Sequence, residues 1–456
     1  MFGSDSHPIP AAALPSSNVG LGWYNNNRKR LKKFAGQYVG EASAAVVTLR
    51  SQGEADISNP DVIASRAGFN ELRVRLPVLN QYYAYTSAHG GTGDAVYLAK
   101  IKSLVLAWVR RNQPTGKPID ETNFEHLLRV IGNRWTDFTA GEQAEITTWL
   151  QALRTAKENW TFMQLAGEGL LIHGNHYTHH YKILLQVYML LGLTTQQTAL
   201  LTEITSFAAR NLPYGNAAIT CPDAHAVVGT SASEKRFDIN GNHLSRFAVG
   251  SRFLVTGNTQ NNNGLYTVVS VQYLSGSSKT RIFTAESPRA DGGSGTLWEA
   301  FDPALHAMPR AAAHVGESID YIRRDALHYH QYNLEPWLEI AILAGGSTFA
   351  TVIDSQWAFF EQQILTPPLR HNEFAATTDS FDSQRWAASQ PEYLQPDSMY
   401  RPDKAARAVF AYATYRQLTT PGFLPDERLI ALAVRSAQLP SSWATYFRWV
   451  FGGMYG

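Results

Sequence analysis

The chain of 456 residues contains one cysteine, Cys221. A single cysteine excludes a disulfide within the chain and any cysteine-based metal cluster. It leaves the compartment open, because proteins without disulfides work both inside and outside cells. Charge is also scarce. Charged residues make up 17% of the chain, and 39 basic against 38 acidic residues leave a net charge of +1. No global field draws in nucleic acid or an acidic membrane, so an anionic ligand must be met by a local cluster. No run of about 18 apolar residues occurs, and a membrane-spanning helix needs that length. The opening "MFGSDSHPIPAAALPSSNVG" has no basic region followed by a long apolar core, so it does not read as a secretory signal. Residues 1–22 are expected to form a flexible tail.

Aromatic residues are plentiful: 12% of the chain, with 11 Trp and 21 Tyr. Many rings and few charges suit a cleft that stacks sugars, and large helical cores use rings as well. Helical periodicity dominates. In "AVYLAKIKSLVLAWV" (95–109) Tyr97, Leu98, Ile101, Leu104, Val105, Trp108 and Val109 form an i, i+3/i+4 stripe. "NQPTGKP" ends that helix, and "DETNFEHLLRVI" (120–131) starts the next with acidic residues at its positive end. "HYKILLQVYMLLG" is expected to stop at Gly192. From Arg236 to Ala300 the rhythm changes: Phe253 and Val255 lie on one side of an alternating run, "LYTVVSVQ" and "TRIFTAE" are rich in β-branched residues, and "GNTQNNNG" and "LSGSSK" supply turns. The expected division is therefore a helical part over 23–230, an inserted β-module over 236–300 and a second helical part over 301–456. Helix pairs joined by short loops suggest hairpins in a ring or a stack.

Two clusters carry chemistry. In "LIHGNHYTHHYKILL" (171–185), His173, His176 and His180 fall at i, i+3 and i+7, with Tyr177 and Tyr181 alongside. His176 and His180 are spaced to share a metal on one helix face, but no glutamate stands between them as in HExxH and no third ligand declares itself. The other readings are a cluster satisfied within the core, or an active-site edge where Asn175 and His176 present an amide and an imidazole at a helix start. In "RRDALHYHQYNLEPWLEIA", Arg323 and Arg324 precede Tyr329 by less than two helical turns. An adjacent guanidinium favours phenolate and draws a tyrosine down from about 10 towards use as a general base. The alternative is a solvated basic loop before core-edge tyrosines.

Taken together, "AWVRRNQPTGKPIDETNFEHLL", "GNHYTHHYKILLQVYMLLG" and "RRDALHYHQYNLEPWLEIAILA" resemble the alginate lyase domain of polysaccharide lyases. The resemblance covers roughly residues 70–205 and 315–450 and is interrupted by the β-module. It implies a mainly α fold, an incomplete (α/α) toroid of helical hairpins around a deep cleft. It implies that Asn175 and His176 are the family's Asn-His pair and Tyr329 its catalytic tyrosine. The family's arginine, at a strict seven-residue spacing, would fall on Ile322, so that role passes to Arg323 or Arg324. A basic residue nearer the N-terminus binds substrate in relatives, and Arg66 in "ASRAGFNEL" is the candidate here. Asn123, His180 and His330 are the further candidates for substrate binding. The implied partner is an anionic polysaccharide, alginate, and no metal or other cofactor is expected. "FAVGSRFLVTGNTQNNNGLYTVVSV" resembles small β-modules of bacteriophage structural proteins, implying a phage-borne depolymerase, extracellular or virion-associated, with virion components as partners. A lyase for another uronate polymer, such as glucuronan or a glycosaminoglycan, and a sugar-binding phage adhesin without catalysis are the alternatives.

Overall fold

The computed structural model describes residues 21–51, 59–88, 94–160, 174–212, 224–298 apart from 248, 251, 257 and 263, then Gly316, Ser318 and Asp320, and finally 327–345, 347–365 and 402–420. After α1 (Leu21–Tyr38), helix α2 (Pro60–Asn70) runs through a single π-type turn (Glu71–Arg75) into α3 (Leu76–Ala88). Local chemistry sets several helix starts. The Asn59 side chain accepts from Asp61 N ahead of Pro60, and Asp94 caps α4 (Ala95–Arg111) by accepting from Val96 N. After α5 (Phe124–Asn133), Thr139 and Glu142 form a reciprocal capping box at the start of α6 (Ala140–Asn159). Helix α7 (Asn175–Leu190) ends at Gly192, whose φ of +67° is the left-handed stop expected of that glycine. Then come α8 (Thr194–Asn211), α9 (Leu327–Ala344), α10 (Ala350–Leu365) and α11 (Pro402–Thr419).

Helices α3, α5, α7, α9 and α11 each pack on the next. Helix α4 lies on α3 and α6, α6 also on α7, α8 on α7, and α10 on α9. Thr122 meets His179 and Glu125 meets Lys182, so a step of three residues before and into α5 matches a step of three along α7. The shared core is rich in rings: Phe124 meets Trp108 and Trp149 edge-to-face at 5.9 and 5.3 Å. The π-type turn is tied to this core by Glu71, which is fully buried. Its carboxylate accepts from Ser43 Oγ, Ala44 N and Trp108 Nε1, each at 2.8 Å. A buried carboxylate is tolerable only with such donors around it.

The β-module is a closed antiparallel barrel in the order β1-β2-β5-β4-β3-β6. Its strands are β1 (Ala224–Ser231), β2 (Arg236–Asn240), β3 (Arg252–Thr256), β4 (Gly264–Leu274), β5 (Lys279–Thr284) and β6 (Gly295–Trp298). The module thus begins before the expected Arg236, and the first helical part ends before the expected residue 230. The first strand pairs across the whole module with the last, Ala224 opposite Trp298, and that pairing cannot be read from a short local run. Phe237, Ile239, Phe253, Val255, Val268, Ile282 and Leu297 fill the interior, as alternation requires. Closure leaves no open sheet edge. Because Ala224 and Trp298 are neighbours, the barrel leaves and re-enters the chain at adjoining points. Replacing 224–298 by a short Gly/Ser bridge is expected to leave helical circular dichroism and cooperative melting of the remainder. Loss of cooperative folding would show that the barrel is part of the helical core.

Candidate active site

The candidate residues lie near the contact of α7 with α9, which Thr178 and His179 make with Asn333 and Tyr332. Gly174 precedes α7, and a Cβ there would lie 2.9 Å from Asp320 Oδ1, so a larger residue would require that carboxylate to shift. Asn175 opens the helix, buried, and its Nδ2 donates to Asp320 Oδ1 at 2.8 Å. His176 is next, half-buried. One turn on, Thr178 Oγ1 donates to the Asn175 carbonyl at 2.9 Å and lies 3.4 Å from Asn333 Oδ1, and the His179 ring lies 4.2 Å from that of Tyr332. Tyr329, on the first turn of α9, is half-buried.

Behind this contact is a buried amide network. Asn211 and Asn333 exchange hydrogen bonds at 2.7 and 2.9 Å, Asn333 Nδ2 also donates to Gln356 Oε1 at 2.9 Å, and Trp337 Nε1 donates to Asn211 Oδ1 at 2.8 Å. These bonds tie α8, α9 and α10 together at fixed register, because a buried amide left unpaired would cost about 1–3 kcal/mol.

His330 was expected to touch substrate, and the structure corrects this. It is fully buried. Its Nδ1 accepts from Ser318 N at 3.2 Å and its Nε2 donates to the Gln356 carbonyl at 3.0 Å. Burial pushes its pKa down to about 4, so it is a neutral spacer with both nitrogens in use. His180 is corrected likewise. It is 7% exposed, its ring lies 5.0 Å from that of Trp160, and burial, then Lys157, push its pKa down to about 3. Its ring packs on Trp160 inside the helical core, not at the helix start beside His176. Asn123 precedes α5 half-buried, with no side-chain cap bond, and its carbonyl accepts from His126 N at 3.2 Å. Arg66 is exposed on α2. Arg323, Arg324 and His173 lie outside the described residues.

Two arginines that the sequence pattern does not single out act electrostatically on Tyr332. Arg73 is on the π-type turn and Arg407 on α11, and both act on the Tyr332 phenol, opposed by Glu335 and Asp120. Arg407 Nε pairs with Glu335 Oε1 at 3.4 Å. Burial is the largest influence and pushes the Tyr332 phenol up from its usual value, so this tyrosine stays protonated near neutral pH. Arg73 carries no sequence signal because a π-type turn inserts a residue and rotates the side chains beyond it, and a 3.6-residue period does not foretell that.

Among the described residues no group of three or more His, Cys, Asp or Glu side chains is placed to hold a metal, and no helix is long and apolar enough to cross a membrane. The chain matches no protein-family model, no curated protein and no solved structure. What can be said of its function rests on these residues and their geometry.

Proposed function

We propose that the chain is a polysaccharide lyase that cleaves alginate by β-elimination at uronate residues, with mannuronate-rich polymer preferred. The observation supporting this reading is the packing of α7 on α9 through Thr178, His179, Tyr332 and Asn333, about one turn along from Asn175, His176 and Tyr329 on the same two helices. The row of successive helices is the arrangement an incomplete (α/α) toroid would extend. Such a toroid would hold the three residues in its cleft.

Elimination removes the C5 proton and expels O4, leaving an unsaturated uronate. The carboxylate beside C5 already carries charge and opposes that step. Asn175 spends one N–H on Asp320 and has a second to offer the carboxylate, with Arg323 or Arg324 supplying positive charge. These donors must hold the developing enolate more tightly than the ground state. In mannuronate the C5 proton and O4 lie on one side, so Tyr329 serves as base and then as acid. In guluronate they lie on opposite sides, and His176 is the separate base. The polymer is the partner, no cofactor takes part, and the barrel joins the enzyme to a phage particle, outside the cell or on the virion.

The direct test is incubation with poly-mannuronate, poly-guluronate and hyaluronan while monitoring the absorbance of the new double bond. Fastest rise on poly-mannuronate is expected. Cleavage of hyaluronan alone would move the reading to another uronate polymer, and binding without cleavage of any would leave a carbohydrate-binding protein. On this reading side chains alone meet the carboxylate, so EDTA is expected to leave turnover unchanged. A loss that zinc or calcium restores would bring back a metal at His176.

A further inference from the structure

The lyase reading has no use for a buried chain of groups that ends on Tyr332. Lys182, buried on α7, donates to Glu125 Oε2 at 2.6 Å, to the Thr122 carbonyl at 3.3 Å and to Thr122 Oγ1 at 3.1 Å. Lys182 can only donate, so the Thr122 hydroxyl accepts from it and has its single proton left for another partner. His179 Nδ1 lies 2.6 Å from that hydroxyl, within reach of the proton. An Nδ1 that accepts leaves the ring proton on Nε2. His179 is buried, its Nε2 has no hydrogen bond of good geometry, and the backbone it approaches is that of Tyr332.

Pro336 explains why that backbone is open. It lies inside α9, four residues after Tyr332, and has no N–H to give. The Tyr332 carbonyl therefore lacks its usual helical donor. The side chain of the same residue lies on the His179 ring, 4.2 Å between centroids. Burial and then the positive Lys182 hold His179 well below the usual imidazole range, with Glu125 acting the other way.

We propose that His179 is a positioning residue: the Glu125–Lys182–Thr122 chain fixes it as the neutral Nε2–H tautomer, and it holds the start of α9 against α7 through the carbonyl that Pro336 leaves open and the Tyr332 ring. Tyr329, one turn before Tyr332 on the same helix, is thereby held in place with the start of α9. The kinetic part of this inference rests on the lyase reading; the tautomer does not.

The full chain labelled with 15N-histidine is to be recorded by long-range 1H–15N NMR from about pH 5 to 8, the range where an ordinary imidazole titrates. His179→Phe assigns the signal. An accepting Nδ1 and a protonated Nε2 that do not change with pH are expected. His179→Phe keeps a ring and loses both nitrogens, and kcat is expected to fall about 10- to 100-fold, the cost of a small misplacement, with KM little changed. His179→Gln, which returns an N–H donor, is expected to recover part of the loss. A titrating ring, an Nδ1–H tautomer, or His179→Phe with wild-type kcat overturns the proposal. A wild-type chain inert on every uronate polymer would sink the lyase reading; the tautomer and pH response would still decide how His179 is held, and a Tyr332 ring signal unmoved by His179→Gln would then overturn the positioning role.

Discussion

Tyr329→Phe is expected to abolish nearly all turnover, by on the order of 100- to 10,000-fold and towards the upper end, while the protein folds and still binds polymer. The substitution removes one oxygen and keeps the ring, so the packing of α9 barely changes. It deletes the group proposed to take the C5 proton and return one to O4. Affinity is expected to hold, because Asn175 and the arginines still meet the carboxylate. Tyr332→Phe is the comparison. Burial pushes the Tyr332 phenol up, which unsuits it as a base, and its ring rather than its hydroxyl lies on His179. A mostly active Tyr332→Phe beside a near-dead Tyr329→Phe that binds polymer is the expected ranking. The reverse ranking would transfer the proton to Tyr332. Equal, mild losses would mean that neither tyrosine carries it.

Lys157→Met is expected to lower unfolding stability by about 3–5 kcal/mol, the cost of leaving one member of a buried ion pair alone. Lys157 Nζ lies 3.0 Å from Glu121 Oε2, and both side chains are buried. The ammonium also donates to the Gly116 carbonyl at 3.1 Å. Glu121 Oε1 in turn accepts from Thr115 N and Gly116 N at 2.5 and 3.2 Å. The pair thus pins the "PTGKP" connection to α6 at the point where Gly116, with φ of +83°, passes Ala156. A Cβ there would be 2.2 Å from the Ala156 carbonyl oxygen. Methionine preserves length and most of the volume, so the loss isolates the stranded carboxylate. Adding Glu121→Gln should return part of it, since the amide carries no charge to leave unpaired. Denaturant midpoints for the two single variants and the double decide the matter. A single-variant loss under about 1 kcal/mol would mean that Glu121 is satisfied without Lys157.

The helices over 95–109 and 120–131, the stop at Gly192 and the alternating strands around Phe253 and Val255 were legible in the sequence. Each depends on local matters: an apolar period, a cap, a residue that accepts positive φ. The stretches proposed to carry the chemistry also stood out, because a helix start loaded with Asn and His, or a run of Tyr and His, differs from a core pattern. Their adjacency did not. That α7 and α9 meet is decided by Thr178, His179, Asn211 and Asn333, which come together across 122 to 155 residues of chain. The same holds for the corrections. His180 and His330 look as available as His176 in the sequence, and only the covering by Trp160 or by Ser318 and Gln356 makes them interior. Strand β1 became part of the barrel through Trp298, and Arg73 came within electrostatic reach of Tyr332 on a π-type turn anchored by Ser43, Ala44 and Trp108. The periods, the turns and the supply of reactive side chains follow from residue order alone, because they depend on backbone preferences over a few residues. Burial, register and the direction a side chain faces were decided by the tertiary structure, because they depend on which distant surface covers each position.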